Sequence, residues 1–258
     1  MGKVEKVVVV GLGEIGRPLF ELLSRHHNAV GVDISPPNKG GDGVDVMHIC
    51  FPFWIPDFIG ETARYISLFR PGMTIINSTV AVGTTRAIGE RTGTVVVNSP
   101  VRGKHARMME DILKYTKFVG SSDPLAAERA AEHFRSLGMK ARVLSSPEAS
   151  ELAKLTETTY FGVLIAWAQE VERYCDRLGL NYDEVVSIYE EIGFFPPVKY
   201  FPGVIGGHCV MPNIEILSQL GSSDLLNAVR ASDKKKIQRE AVPARPLARA
   251  GIEQRLVS

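Results

Sequence analysis

Residues 6–16 read KVVVVGLGEIG, and this stretch decides the fold. Its run of valines predicts a buried strand, and the glycines that follow predict a tight turn into a helix. In this pattern Gly11 permits the turn, Gly13 lets backbone amides approach a pyrophosphate, and Gly16 lets the helix pack closely on the strand. The helix N-terminus then faces the phosphates. The stretch therefore predicts a dinucleotide site, with a ligand-free turn as the alternative, at Gly11, Leu12, Gly13, Glu14, Ile15 and Gly16.

Two further segments extend the predicted cofactor site. Asp33 ends the second predicted strand, where a carboxylate accepts hydrogen bonds from the diol of a ribose. No arginine follows directly to hold a 2′-phosphate, which favours NAD over NADP. Ser78 and Thr79 follow the fourth predicted strand, at the sheet edge where the nicotinamide would lie. A helix cap is the alternative role for these hydroxyls.

The pattern of residues 1–145 extends the prediction to a whole domain. Short β-branched runs alternate with helical stretches at 16–26 and 123–137. This alternation is typical of the α/β class, with a doubly wound, mostly parallel sheet of Rossmann type. We therefore predict an NAD-binding domain over 1–145, with strands at 4–10, 29–33, 44–51, 73–78, 94–98, 117–120 and 140–144.

A long helix is predicted where this pattern ends. Ser146 is a good helix cap and Pro147 suits the first turn, and the helical pattern then continues to residue 178. A helix of that length measures about 48 Å. We expect it to form the centre of a homodimer, with Tyr160, Trp167 and Tyr174 buried there. The remaining predictions are a helical dimerisation and catalytic region at 146–240, a C-terminal tail at 241–258, and shorter helices at 182–192, 213–219 and 222–236.

Composition excludes several classes of protein. The 258 residues are 45% hydrophobic and 23% charged, which excludes a disordered chain, and the net charge of +1 gives no footprint for nucleic acid or an anionic membrane. No apolar run approaches the roughly 20 residues that span a bilayer. The three cysteines are widely spaced and the N-terminus lacks a signal-peptide pattern, so we expect a cytoplasmic protein without disulfides. We predict no metal site.

A candidate nucleophile follows a pair of glycines. Gly206 and Gly207 would bring the backbone close to a ligand, and Cys209 would be displayed at a turn. A thiolate there would attack an aldehyde, and we expect Lys154, with His208, to lower the pKa of the thiol. His208 could instead cap the loop. The alternative for Cys209 is a small buried cysteine in a tight turn.

Polar residues on the long helix form a second candidate group. Lys154 and Thr158 stand four residues apart on one face, where an ammonium and a hydroxyl can bind a substrate oxygen or a water. The alternative is a solvated polar face, on which Glu151 pairs with Lys154.

In their order and spacing, these segments resemble the UDP-glucose/GDP-mannose dehydrogenase family. GLGEIG at 11–16 is similar to the family's GLGYVG cofactor loop, and NSTVAVGTT at 77–85 is similar to its STVPxGTT segment. ELAKLTETTY at 151–160 resembles the helix pattern E-x-x-K-L-x-x-N-x-Y, and GGHCVMPN at 206–213 resembles the nucleophile loop GGHCIPxD. The resemblance runs from about residue 4 to residue 236.

The resemblance implies two successive hydride transfers to NAD, which turn a primary alcohol into a carboxylate. Cys209 would capture the aldehyde as a thiohemiacetal, whose oxidation gives a thioester that water hydrolyses. Lys154 would stabilise the oxyanion, and Thr79 would hold the water or relay a proton.

The chain departs from the family pattern where the thioester would be hydrolysed. Thr158 replaces the family's helix asparagine, Asn213 replaces the aspartate after the nucleophile, and Val101 replaces a glutamate after the fifth strand. The resemblance therefore leaves only His105 or His208 to supply a base.

The same departures predict the class of substrate. Arg102, Lys104 and His105 form a basic cluster that, with Gly206 and Gly207, would bind an anionic small molecule. The family's C-terminal nucleotide-sugar-binding domain is expected to be absent. We predict an NAD-dependent dehydrogenase that acts on the CH–OH group of a polar, anionic, sugar-like alcohol or aldehyde. The alternatives are a nucleotide-sugar dehydrogenase completed by a partner chain and an NAD-binding regulatory or interaction protein with a degenerate active site.

Overall fold

The computed structural model describes residues 4–33, 43–103, 107–192, 201–205 and 209–241. The described strands form one seven-stranded sheet in the order β2-β1-β3-β4-β5-β6-β7. All neighbours are parallel except β5 and β6, which are antiparallel. The predicted fold class is confirmed. The strands are β1 Lys6–Val10, β2 Asn28–Val32, β3 Val46–Ile49, β4 Thr74–Ile76, β5 Val96–Asn98, β6 Lys117–Ser121 and β7 Ala141–Val143.

Helices connect these strands and cover the sheet. The predicted helices at 16–26 and 123–137 are present with slightly shorter bounds, whereas the three helices that lie between them in the sequence were not predicted. The helices of this part are α1 Gly16–Ser24, α2 Phe58–Phe69, α3 Thr84–Thr92, α4 Met108–Lys114 and α5 Pro124–Ser136.

The long helix has the bounds that the sequence predicts. Helix α6 spans Pro147–Leu178, and the hydroxyl of Ser146 accepts a hydrogen bond from the amide of Ala149 at 3.2 Å. The later helices are α7 Tyr182–Ser187, α8 Val210–Leu217 and α9 Asp224–Glu240, with 3-10 turns at Ile188–Glu191 and Ser218–Leu220. Helix α8 begins earlier than predicted, directly after Cys209. No helix in the described ranges combines the length and apolarity needed to cross a membrane.

The sheet is apolar on both faces. Val7 and Val9 pack into one hydrophobic cluster, while Val8 and Val10 pack into another. Because successive side chains of a strand point to opposite faces, a strand covered by helices on both sides needs a continuous apolar run. Each buried valine contributes about 1.5–3 kcal/mol relative to an exposed one. This explains why KVVVV forms an interior strand, between β2 and β3.

The chain divides into two compact units. The first comprises Met1–Tyr160 and His208–Ser222, and the second comprises Phe161–Gly207 and Ser223–Ser258. The interior of the second unit is stabilised by polar contacts as well as by apolar packing. Asp233 accepts hydrogen bonds from the Ile205 amide at 2.7 Å and from the Gln169 side chain at 3.5 Å. Of the predicted tail, only Ala241 lies within the described residues.

The junction of β1 and α1 provides a direct test of the packing. A Cβ atom at Gly16 would lie 1.7 Å from the carbonyl oxygen of Gly11, so we expect Gly16→Ala to lower the free energy of unfolding by more than about 3 kcal/mol in urea denaturation. Gly13→Ala is the matched control, because no atom lies within 4 Å of its new Cβ. Equal stabilities of the two variants would contradict this packing.

Candidate functional site

A cavity of about 270 Å³ lies in the first unit, at the carboxyl ends of β1, β3, β4 and β5. This is the edge at which doubly wound sheets bind their ligands. Helix α6 and the start of α8 complete its wall. The lining residues are Gly13, Glu14, Ile15, Cys50, Phe51, Pro52, Phe53, Trp54, Ser78, Thr79, Val101, Gly103, Met108, Lys154, Cys209 and Asn213.

The glycine turn has the shape that a pyrophosphate requires. Gly11 has φ +89°, and a Cβ atom there would lie 2.7 Å from the Phe51 amide nitrogen. Gly13, in contrast, borders open space within the cavity wall. Helix α1 begins without a side-chain cap or an acidic residue in its first turn. Since the first amides of a helix favour an anion, this end fits the phosphates of a dinucleotide.

Asp33 stands at the end of β2, beside the glycine turn. Its Oδ1 atom accepts a hydrogen bond from the Leu12 amide at 3.4 Å, and the carboxylate is otherwise exposed. The Gly11 amide donates to the Val32 carbonyl at 2.8 Å, which ties the turn to the same strand. The carboxylate therefore lies where it can also accept from a ribose diol.

The two predicted hydroxyls after β4 differ in their surroundings. The Ser78 hydroxyl donates to the Phe51 carbonyl at 2.6 Å and thereby ties two loops of the cavity wall together. Thr79 is half-buried and also lines the cavity. Both residues are thus at the cavity, and Ser78 has a structural bond there.

Lys154, Cys209 and Asn213 line the same cavity. The Lys154 ammonium is 3.4 Å from the Glu157 carboxylate, and its side chain is mostly buried. Asn213 is buried one turn into α8, where its backbone N–H donates to the Cys209 carbonyl at 3.3 Å. Thr158 is not among the lining residues, because its hydroxyl turns back to the Lys154 carbonyl at 3.1 Å.

The expected lowering of the Cys209 pKa is wrong. Desolvation of the thiol raises its pKa, and the nearby Glu14 carboxylate raises it further. The charge of Lys154 acts in the opposite direction but is outweighed. Cys209 is therefore a thiol at neutral pH, although its position at the cavity is the predicted one.

Arg102 lies beside a second cavity, of about 200 Å³, which also borders Lys154. Its guanidinium is 3.9 Å from the Glu157 carboxylate and lies over the rings of Tyr115 and Phe118, at 5.4 Å and 5.7 Å from their centroids. The other members of the predicted substrate and catalytic sets fall outside the described residues: Lys104, His105, Gly206, Gly207 and His208.

This geometry can be compared with known proteins. Residues 148–235 match the family model for the central domain of the UDP-glucose/GDP-mannose dehydrogenase family. The resemblance predicted from the motifs is confirmed.

Two relatives illustrate the similarity to complete enzymes. The chain is 24% identical to UDP-N-acetyl-D-mannosamine dehydrogenase of Methanococcus vannielii, over 81% of this chain and 60% of that protein. It is 26% identical to NDP-N-acetyl-D-galactosaminuronic acid dehydrogenase of Ralstonia nicotianae, over 79% of this chain and 62% of that protein. The chain thus spans about 60% of the length of these curated relatives.

Solved structures share the fold. A UDP-D-ManNAc dehydrogenase from Pyrococcus horikoshii superimposes with a TM-score of 0.80 at 20% identity, covering 92% of this chain and 70% of that one. A 3-hydroxyisobutyrate dehydrogenase from Mycobacterium tuberculosis gives a TM-score of 0.68 at 16% identity, covering 93% and 94%.

Two features of this site were not predicted from the sequence. The aromatic loop after β3, with Phe51, Phe53 and Trp54, forms one wall of the cavity; its signal was the run FPFWIP directly after a buried strand. Glu151 is not a partner of Lys154 but is buried. Its carboxylate accepts hydrogen bonds from the amides of Gly83 and Thr85, at 2.7 Å and 2.9 Å, and so caps α3.

The thiol environment can be tested by alkylation with iodoacetamide. We expect Cys209 to react faster than the other two cysteines, because Cys175 is buried and burial raises the pKa of Cys50 to about 12. Lys154→Met should slow the reaction of Cys209 several-fold near pH 8, since it removes the charge that lowers the thiol pKa. Lys235→Met, at an exposed position of α9, is the control. An unchanged rate in Lys154→Met would show that this charge does not reach the thiol.

Proposed function

We propose that this protein is an NAD-dependent oxidoreductase that oxidises a polar, anionic, sugar-like alcohol or aldehyde. The observation that carries the proposal is that one cavity is lined by the glycine turn, by Lys154 and by Cys209. The names of the curated relatives, which are dehydrogenases of nucleotide-linked sugars, support the same reaction class.

The cofactor would be held by residues 11–16, by Asp33 and by the segment of Ser78 and Thr79. The amides at the start of α1 would face the pyrophosphate, and Asp33 would accept hydrogen bonds from the adenosine ribose. NAD, when bound, supplies the acceptor for the hydride. The lack of an arginine directly after Asp33 favours NAD over NADP.

Lys154 would orient the substrate and hold its negative charge. An ammonium in a partly desolvated wall stabilises an alkoxide or oxyanion more strongly than it would in water. Arg102, which reaches the neighbouring cavity, would bind an anionic group of the substrate. The Glu157 carboxylate, now close to both cations, would give way to that group.

Cys209 would act in a second oxidation. Its sulfur would add to the carbonyl carbon of the aldehyde while the thiol proton moves to solvent or to the carbonyl oxygen. Transfer of a second hydride to a second NAD, with loss of the hydroxyl proton to solvent, would give a thioester. Water would then cleave the thioester to a carboxylate and the free thiol. The raised thiol pKa and the amide of Asn213 favour a slow second stage.

The raised pKa of the Cys209 thiol and the amide side chain of Asn213 also support a second candidate that is not an enzyme. This candidate is an NAD-binding regulatory or interaction protein with a degenerate active site. A nucleotide-sugar dehydrogenase completed by a partner chain is the third candidate, suggested by the relatives' names. A thermal-shift screen with NAD, NADP, sugar acids, sugar phosphates and nucleotide sugars separates the three. Stabilisation by NAD alone would support the regulatory protein.

For the domains, we propose a cofactor domain at 1–145 followed by a helical dimerisation region at 146–240. For the assembly, we propose a homodimer that buries the exposed aromatic side chains of α6. Trp167 and Tyr174 are 49% and 45% exposed, and Tyr160 is 52% exposed. Aromatic side chains of this size contribute strongly when an interface buries them.

The cofactor assignment predicts a selective loss of affinity. Asp33→Ala should weaken NAD binding at least tenfold, about 1.4 kcal/mol, and NADP binding much less, because only the free diol loses its acceptor. Isothermal titration calorimetry measures both. Asp123→Ala, which removes the helix cap of α5, controls for a general loss of stability. Equal losses for the two cofactors would refute the role of Asp33.

The role of Cys209 predicts a change in product. Cys209→Ser should stop oxidation at the aldehyde and yield one NADH per substrate, because the first hydride transfer needs no thiol. Product analysis and NADH stoichiometry measure this, and Cys175→Ser in the second unit is the control. Carboxylate formation at the normal rate by Cys209→Ser would exclude the thioester route.

The assembly proposal predicts a change in molecular mass. Trp167→Glu should convert a dimer into a monomer in light scattering at micromolar concentration, because it buries a charge in the interface. Leu125→Glu, at an 81% exposed position of α5, should leave the mass unchanged. A monomeric wild-type protein would refute the homodimer.

A further inference from the structure

A lysine that the proposed reaction does not use is buried inside the first unit. Lys117 begins β6 and is 5% exposed. Its Nζ atom donates to the Ser99 carbonyl at 2.5 Å, to the Pro100 carbonyl at 3.3 Å and to Asn77 Oδ1 at 3.5 Å. The nitrogen also lies 4.8 Å from the centroid of the Phe134 ring. Burying an ammonium is unfavourable by several kcal/mol without such partners.

The carbonyls need this lysine because the pairing between β5 and β6 ends before they are reached. Strand β5 pairs with β6 through Val97 with Ser121 and Asn98 with Gly120. Strand β7 pairs with β6 at Lys117, but along the opposite edge of β6. The carbonyls of Ser99 and Pro100 lie beyond the β5–β6 pairing, and the Lys117 ammonium takes the place of the missing strand amides.

A hydrogen-bonded chain leads from this lysine through the core. Asn77 Nδ2 donates to the Ile75 carbonyl at 3.2 Å, which fixes the orientation of the amide. The same Nδ2 is 3.1 Å from His48 Nδ1, so His48 Nδ1 accepts and its Nε2 carries the proton. That proton points to His133 Nε2 at 3.1 Å, which leaves the His133 proton on Nδ1, 2.5 Å from the Glu5 carboxylate.

The direction of this chain also decides the nature of the cluster at its far end. Glu5, His27 and His133 have the donor types of a metal site. A metal ion at His133 Nδ1 would have to displace the deduced proton, which here donates to the Glu5 carboxylate. The Glu5 carboxylate, whose pKa is lowered mainly by its hydrogen bond to His133, is the anionic end of a chain whose cationic end is Lys117.

We propose that Lys117 is a positioning residue, whose ammonium holds the Ser99–Pro100 turn and thereby fixes the wall of the substrate cavity. Directly beyond the turn, Val101 and Gly103 line the first cavity and Arg102 lines the second. The catalytic consequence rests on the proposed function, whereas the ordering of the turn does not.

The proposal predicts a pH dependence of its own. The pKa of Lys117 is lowered to about 7, mainly by burial; Cys50 acts in the opposite direction, and the charge of Lys154 acts in the same direction as burial. Among the described residues, His48 of β3 also interacts electrostatically with Lys117. Below pH 7 the ammonium offers three protons to three acceptors; above pH 7 the amine offers two, and its lone pair faces a carbonyl. The turn should therefore loosen as pH rises through about 7.

The contribution of Lys117 to the free energy of unfolding changes with pH in the opposite direction to the ordering of the turn. Because the folded pKa lies below the ordinary value of 10.5, the unfolded chain binds more protons between the two values. The contribution of Lys117 to the free energy of unfolding therefore rises with pH, over the same range in which the turn loses one hydrogen bond from Lys117. A general loosening of the fold and a local loosening of the turn are therefore distinguishable.

Hydrogen exchange measured by mass spectrometry tests the ordering without any substrate. In Lys117→Met we expect exchange in a peptide covering 99–103 to rise at least tenfold, with little change in a peptide covering 6–10. Lys114→Met, at an exposed position of α4, should match the wild type. The wild-type protein gives a second test that needs no variant. Its exchange rate in 99–103, divided by the intrinsic exchange rate at each pH, should rise between pH 6 and pH 8.5. Unchanged exchange in 99–103, or an equal rise in both peptides, would overturn the proposal.

Kinetics then test the consequence for the site. Lys117→Met should raise the substrate KM about tenfold and lose the pH dependence of KM near pH 7, while the Kd for NAD stays within twofold. Lys117→Arg, which stays charged at every pH, should keep the KM that the wild type shows below pH 7 and show a flat profile. A pH-dependent KM in Lys117→Met would overturn the positioning role. Absence of NAD binding in the wild type would instead refute the proposed function and leave the exchange result standing.

Discussion

The close approach of α1 to β1 is the constraint on which the rest of this structure depends. At Gly16 the helix backbone passes so near the Gly11 carbonyl that even a methyl group would overlap it. This contact brings the N-terminus of α1 over the carboxyl end of β1. The loops after β3, β4 and β5 end at the same edge because these strands are parallel to β1. One steric requirement thus positions both the anion-binding helix end and the cavity beside it.

At that cavity and in the core beside it, burial and charge both act on the ionisable groups. At Cys209 desolvation is stronger than the nearby ammonium, and the thiol pKa is raised. At Lys117 desolvation again dominates, and the pKa falls to about 7. The two effects have opposite directions because burial disfavours whichever form is charged. A cavity with this environment is better suited to bind and orient an anion than to keep a free thiolate at neutral pH.

Local patterns were sufficient to predict much of this fold. All seven strands and both ends of α6 could be read from apolar runs, a Ser-Pro start and a glycine stop, because these features depend on residues close in sequence. Helices α2 to α4 were missed, although α2 has an aspartate cap at Asp57 and α3 lies between Gly83 and Gly93. Their apolar faces are narrow, and short amphipathic helices of this kind depend on the sheet that they cover.

The site was less predictable for a physical reason. Residue types placed Lys154, Asn213 and Cys209 at the cavity, but long-range contacts decide what each group does. The alternative interpretation paired Glu151 with Lys154 along its own helix, whereas Glu151 caps α3 across 66 residues of sequence. The thiol pKa depends on desolvation by burial, which no local motif encodes. Lys117 gave no sequence signal, because its role arises from the point at which the pairing between β5 and β6 ends.

The two lysines near the cavity are coupled through their charges. The Lys154 charge contributes to the lowered pKa of Lys117, so each cation disfavours the other. An anionic substrate beside Lys154 would offset this repulsion and favour the ammonium form of Lys117. By linkage, the ammonium form would in turn bind that anion more tightly, because both effects are one coupling free energy. The wall would therefore be most ordered when the anion is present, and the coupling would be lost for a neutral substrate of the same shape.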